Sequence, residues 1–259
     1  AEVATGAYHS CGVRGEGSGM CWGSNGEGQS TPGAGTFSGV AAGTWHTCGV
    51  KTDGSLDCWG CGGDAEYGQC TPPGGTFNAV AAGYWHNCAL AAGGAVQCWG
   101  NDSHGQATPP GGTATAIAAH WYNSCTVASG AVTCWGNADN GQLQVPAGTY
   151  TQVDPGNAHV CGLEDDGNVE CWGCEGSDDG QCTVPANSYT YVSAGGNHSC
   201  AIKADEFLAC WGANDEGQAA PPPGTFSAIS CGQWHCCGVT TEGMVTCWGA
   251  DNFGQSTPP

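Results

Sequence analysis

Apolar and polar positions follow one recurring pattern along the chain: Phe-x-x-Val-Ala-Ala-Gly-x-x-His-x-Cys, a polar turn, Val-x-Cys-Trp-Gly, an Asn/Asp-rich loop, Gly-Gln, and a Pro-rich connector. Short apolar runs broken by turn residues predict strands, and no stretch keeps the 3.6-residue apolar period that would predict a helix. Each unit therefore holds three or four strands. The unit recurs seven times at spacings of 36 to 40 residues, with Cys-Trp-Gly beginning at Cys21, Cys58, Cys98, Cys134, Cys171, Cys210 and Cys247. The Gly-Gln pairs end at Gln29, Gln69, Gln106, Gln142, Gln181, Gln218 and Gln255. One small sheet cannot bury both of its faces, so the units must stack, and seven closing radially make a β-propeller. The expectation is an all-β, seven-bladed propeller, with residues 1–259 as one domain. Val-Ala-Ala-Gly suits the crowded innermost strand, and the tryptophans of Cys-Trp-Gly suit the gaps between blades.

A second cysteine precedes each Cys-Trp-Gly by nine or ten residues, at Cys11, Cys48, Cys88, Cys125, Cys161, Cys200 and Cys237. Pairing Cys48 with Cys58 places Lys51 opposite Ser55 and leaves a three-residue Thr52-Asp53-Gly54 loop, a standard hairpin length. The fourth repeat is one residue shorter, and the same pairing leaves a two-residue Ser129-Gly130 loop. The deletion falls in the turn and the cysteines stay opposed. They land at non-hydrogen-bonded sites, where opposed Cα atoms lie roughly 4.5 Å apart, within reach of a disulfide. The predicted cross-strand bridges are Cys11–Cys21, Cys48–Cys58, Cys88–Cys98, Cys125–Cys134, Cys161–Cys171, Cys200–Cys210 and Cys237–Cys247.

Six cysteines remain of twenty. Cys61 and Cys70 in the second repeat and Cys174 and Cys182 in the fifth occupy the same two positions, which the other repeats leave without cysteine. Cysteines that come and go together are most simply bonded together, giving Cys61–Cys70 and Cys174–Cys182, with Cys231–Cys236 as the remainder. A metal reading of His46, Cys48 and Cys58 fails on the fourth repeat, where Asn123 replaces the histidine while Cys125 and Cys134 both stay. Structural disulfides, and no metal, are expected, each eleven-residue cross-strand ring adding on the order of 2 to 3 kcal/mol through the unfolded state, not additively across the seven. Such cysteine usage points to a secreted, extracellular or periplasmic protein. The chain opens at Ala1-Glu2-Val3, already inside a repeat, so a mature or trimmed form without a signal segment is expected.

Three basic residues, Arg14, Lys51 and Lys203, stand against twenty-three acidic ones, a net charge of −20. Binding to nucleic acid or to an anionic membrane needs clustered Lys and Arg, so neither is expected, and no run is long enough for membrane insertion. Acidity also keeps a soluble surface apart by self-repulsion. No cofactor is expected; calcium at Glu175, Asp178 or Asp179 is the alternative to be weighed, and their loops have turn chemistry first.

These units resemble the regulator of chromosome condensation repeat family, which carries the same Ala-Ala-Gly-x-x-His, Asp-Gly-x-Val, Trp-Gly and Gly-Gln signposts. The resemblance covers the whole chain. The units are shorter than those of nuclear members and carry cysteines absent there, so nuclear exchange-factor and chromatin roles are not expected. Cysteine-bearing versions look more like secreted bacterial members and plant receptor ectodomains.

Function must be sought where the repeat is broken. The two positions between Ala-Ala-Gly and His read Ala7-Tyr8, Thr44-Trp45, Tyr84-Trp85, Trp121-Tyr122, Asn157-Ala158, Gly196-Asn197 and Gln233-Trp234. Repeats seven, one, two, three and four carry aromatics, and in a closed ring these are contiguous. An arc of Tyr8, Trp45, Tyr84, Trp85, Trp121, Tyr122 and Trp234 would be an exposed apolar patch. The bland alternative folds several of them inward as core. His120 replaces a repeat glycine beside Trp121 and is the histidine expected nearest a ligand. The repeated His9, His46, His86, His159, His198 and His235 are expected to bond neighbouring backbone.

The chain is similar in architecture to propeller-type β-lactamase inhibitors, and that resemblance implies a protein partner at the aromatic face. A carbohydrate-binding lectin is the alternative, because aromatic platforms also stack on sugars. A structural or self-assembling protein, with the arc packed against another copy, is the third reading. No nucleophile elbow, phosphate loop or metalloprotease motif occurs, so an enzyme is not expected.

Overall fold

The computed structural model describes residues 2–63 and 66–259; Ala1, with which the first repeat opens, lies outside them, as do Asp64 and Ala65. The described residues form seven three-stranded antiparallel sheets, each running inner, middle, outer in chain order. In the first blade the strands are Glu2–Thr5, His9–Val13 and Gly19–Gly23. The inner strands of the other blades are Phe37–Ala42, Phe77–Ala82, Ala116–His120, Tyr150–Pro155, Tyr189–Ala194 and Phe226–Cys231. Together they line an axial channel of about 360 Å³. Small residues sit there for the expected reason: Ala41, Ala81, Ala118 and their equivalents face the axis, where seven strands converge. No helix among the described residues is long and apolar enough to cross a membrane.

The hairpins follow the cysteine spacing. Lys51 N–H donates to Ser55 O at 2.7 Å, and Gly54 takes φ +84° in the three-residue turn. In the shortened repeat Ala128 opposes Ala131 across Ser129 and Gly130, both at positive φ as a two-residue primed turn requires. Every blade has its cross-strand disulfide, with Cα atoms 4.0 to 4.1 Å apart. Three more bridges join Cys61 to Cys70, Cys174 to Cys182, and Cys231 to Cys236. The last ties the inner to the middle strand of the seventh blade.

Blades are joined by one repeated clasp. The tryptophan of each Cys-Trp-Gly donates its Nε1–H to the backbone oxygen of the Gly-Gln glutamine in the preceding blade: Trp59 to Gln29 at 2.9 Å, Trp99 to Gln69 at 2.8 Å, and so around the ring to Trp22 and Gln255 at 2.8 Å. The two signposts are therefore two halves of one interface.

The repeated histidines complete it, bonding a side chain of the following blade rather than the neighbouring backbone expected from sequence. His9 Nε2 meets Thr47 Oγ1 at 2.7 Å, and His46, His86, His159 and His235 meet Asn87, Ser124, Ser199 and Ser10 in the same way. Thr47, Asn87, Ser124 and Ser10 in turn donate to the same glutamine oxygens, so the imidazole must be the donor to them. In the neutral ring this is the Nε2–H tautomer, with Nδ1 left without a partner among the described residues. Burial holds these histidines far below the usual imidazole value, to about 3 for His9, His86, His159 and His198 and about 4 for His46 and His235.

Candidate functional site

Strand direction gives the molecule two unlike ends. The loops between inner and middle strands, which carry the variable dipeptides, share one end with the Gly-Gln loops, and the middle-to-outer turns lie at the other. At the first end, the six glycines of the repeat, Gly6, Gly43, Gly83, Gly156, Gly195 and Gly232, are held close. A Cβ at Gly43 would lie 2.6 Å from Gly83 O of the next blade and 2.6 Å from His46 Cε1. Glycine is required there wherever the histidine is present. The fourth blade lacks it and has Asn123, and there the glycine position carries His120 instead.

His120 extends the inner strand by one pair, opposite Asn123, leaving Trp121-Tyr122 as a two-residue hairpin with Trp121 at φ +45°. A bulky residue at positive φ is a strained conformation. The His120 ring lines the axial channel and bonds the backbone of Gly156, and burial lowers its pKa to about 4. It has none of the ring contacts that join the aromatic arc. Asp154, also in the channel lining, accepts from Ser193 Oγ and Ala194 N–H at 3.0 Å each, yet burial pushes its pKa up to about 7.

Tyr8, Trp45, Tyr84, Trp85, Trp121 and Tyr122 are half-buried, and Trp234 is exposed. The first six form two ring clusters rather than an even band, and Trp234 joins neither among the described residues. Tyr84 touches Trp85, Trp121 and Tyr122, with centroids 3.9, 4.2 and 5.3 Å away. Tyr8 and Trp45, from adjacent blades, lie 4.8 Å apart. Tyr122 titrates above the usual phenol range because of burial, reinforced by Tyr84 and Tyr67. Trp85 Nε1 is buried with no hydrogen-bond partner among the described residues, unlike the bonded indoles of the clasps.

The structure adds rings that the variable dipeptides do not contain. Phe253 packs edge-on against Tyr8 at 5.4 Å, Tyr67 against Trp85 at 5.2 Å, and His104 against Tyr122 at 4.6 Å. All three occupy the position immediately before Gly-Gln and reach the rim of the following blade. The glutamine puts them there: each buried side chain turns back so that its Oε1 accepts the backbone N–H two residues earlier, from Glu27, Tyr67, His104, Asn140, Asp179, Glu216 and Phe253. Variation at this fixed position, Glu, Tyr, His, Asn, Asp, Glu and Phe, was the available signal.

Between Trp45 and Trp85 lies a slot of about 210 Å³, lined also by Glu27, Gly60, Cys61, Gly63 and Gln69. The Cys61–Cys70 bridge ties together the segment that supplies Cys61, Gly63 and Gln69 to the slot and carries Tyr67. Glu175, Asp178 and Asp179 do not converge into a ligand set among the described residues. The one close group of ligand-type atoms among the described residues is His198, Cys231 and Cys236, and its two sulfurs are bonded to each other.

The regulator of chromosome condensation (RCC1) repeat model matches residues 1–29, 37–69, 77–106, 189–218 and 226–255. No curated protein matches the sequence significantly. Among solved structures, the ectodomain of the receptor kinase CR4 from Physcomitrella patens is 26% identical with a TM-score of 0.80, over 96% of this chain and 73% of that one. The CRINKLY WD40 ectodomain of the Arabidopsis thaliana receptor kinase ACR4 is also 26% identical with a TM-score of 0.80, over 100% and 98%. Prp20p from Saccharomyces cerevisiae, whose structure is described with its binding to Gsp1p and histones, shares the fold at 16% identity and a TM-score of 0.73, over 89% and 80%.

Proposed function

The chain belongs to the regulator of chromosome condensation repeat family, and from that premise we propose that it is a non-catalytic recognition module whose aromatic end binds a protein partner. The observation that carries the reading is the arc itself. Rings from five contiguous blades meet at one end, and their outermost members, Trp234, Tyr67 and Phe253, are 39%, 48% and 54% exposed. Aromatic residues held half-buried by neighbours lose little entropy on binding and dominate interface energetics.

The family's fold serves as a receptor ectodomain in the two plant structures, which fits a binding role outside the cell. Ten disulfides fit an oxidising compartment. The rings tilt against one another instead of lying flat, with Tyr84 and Trp85 at 62° and Tyr8 and Trp45 at 35°. That corrugated surface favours interdigitating side chains over the flat stacking of a sugar ring.

The test is replacement of Trp45 and Trp85 by Ala, with folding checked by thermal denaturation. Loss of a protein partner retained from the source medium, with the melting curve intact, supports the reading. Unchanged retention, or binding to a glycan array in its place, overturns it.

A further inference from the structure

We propose that the slot between Trp45 and Trp85 receives a single cationic side chain, Arg or Lys, from the protein partner, with Glu27 as its counter-charge. The inference rests on the reading of the aromatic end given above. Its starting point is a break in a pattern. Where the arc passes from one blade to the next, the residue before Gly-Gln covers the ring on the following rim: Phe253 covers Tyr8, Tyr67 covers Trp85, and His104 covers Tyr122. At the passage to Trp45 that residue is Glu27, and a carboxylate takes the place of a ring.

Glu27 is half-buried, and it makes no ion pair or side-chain hydrogen bond among the described residues. A carboxylate that lines a slot with two indoles and has no partner of its own is a counter-charge open to a cation. Glycines line the open space. A Cβ at Gly63 would lie 2.6 Å from Glu27 Oε2, so any larger side chain there would displace the carboxylate or fill the slot. Two tryptophan walls with an acid between them are the chemistry that holds a guanidinium or ammonium group.

The molecule's own cations cannot fill it. Arg14, Lys51 and Lys203 all stand at or just past the far ends of middle strands, at the opposite end of the propeller. Lys51 and Lys203 pair there with Asp57 and Asp205, and Arg14 bonds Met20. The aromatic end is thus without Lys or Arg in a chain of net charge −20, a field that steers a basic partner toward it. Glu216 holds the same repeat position ahead of the blade that carries Trp234, which repeats the acid and tryptophan combination by register.

The test titrates the protein with a capped Gly-Arg-Gly peptide and its citrulline counterpart, following the indole N–H resonances of Trp45 and Trp85. The arginine peptide is expected to shift both resonances and to bind about tenfold more tightly than the citrulline peptide. Glu27→Gln should erase most of that preference, and added salt should weaken it. Equal binding of the two peptides, or a preference unchanged in Glu27→Gln, overturns the proposal. The same variants then separate the two levels of inference on the protein partner: loss with Trp45→Ala but not with Glu27→Gln overturns the cation slot alone. Retention by every variant overturns the slot together with the aromatic end as a binding surface.

Discussion

His235 Nε2 lies 2.7 Å from Ser10 Oγ, across 225 residues of sequence, and Ser10 donates onward to Gln255 O at 2.9 Å. The ring is closed by the same clasp that joins every other pair of blades. Trp22 donates to that same oxygen from the other side.

Truncation after Phe253 should therefore open the ring. It strands two buried donors, Ser10 Oγ and Trp22 Nε1, at about 1 to 3 kcal/mol each. A loss of several degrees in melting temperature is expected by calorimetry, whereas removal of Pro258 and Pro259 alone should change little.

The interface between the fourth and fifth blades should be convertible to the common form. Asn123 stands where the clasp histidine would be, and Val160 stands where its acceptor would be. Asn123→His alone meets an apolar partner and crowds His120, and should cost about 1 to 3 kcal/mol by urea denaturation. His120→Gly and Val160→Ser added to it should restore most of that loss. A triple variant no better than the single one would contradict the compensation.

Acid should weaken the molecule through its clasp histidines. Their folded values of about 3 to 4 lie below the unfolded 6.5. The unfolded chain thus binds more protons between those limits, and stability is full above 6.5 and falls as pH drops through the window. A melting temperature lower by at least about 10 °C at pH 4 than at pH 7 is expected. Asp154 acts in the opposite sense, because its folded value of about 7 exceeds the unfolded 3.8. Its contribution is lost as pH rises toward 7, so Asp154→Asn should gain stability at pH 8 relative to the parent more than at pH 4.

Removing the Cys61–Cys70 bridge as a double serine variant should affect the slot more than the fold. The melting point should fall by a few degrees, because the bridge constrains the unfolded chain, while every sheet keeps its own cross-strand disulfide. Binding at Trp45 and Trp85 should weaken several-fold as Tyr67 and the segment that lines the slot loosen.

Repeat order carried most of the architecture. The cysteine spacing registered the hairpins, including the one-residue deletion at Ser129-Gly130, and the crowding argument correctly assigned Val-Ala-Ala to the axis. The tryptophans of Cys-Trp-Gly were legible as interblade packing, but their acceptor, the backbone oxygen of a glutamine some 30 residues earlier, was not, because backbone oxygens leave no mark in sequence. The histidine partners were equally hidden: Thr47, Asn87 and Ser10 share a position but not a residue type. Tyr67, Phe253 and Glu27 went unread, and His104 stood out only as an off-pattern histidine, because a loop rich in Gly and Asn presents first as turn chemistry. Only the fold shows that each sits on the next blade's rim.

The most direct test places a photo-crosslinking phenylalanine analogue at Trp45 and, in a second sample, at Phe207 on the opposite end, and exposes each to the source medium. A protein adduct at Trp45 that disappears when Trp85 is also replaced by Ala, with none at Phe207, is the expected result. An adduct at Phe207 with none at Trp45 would contradict the assignment of the aromatic end as the recognition surface.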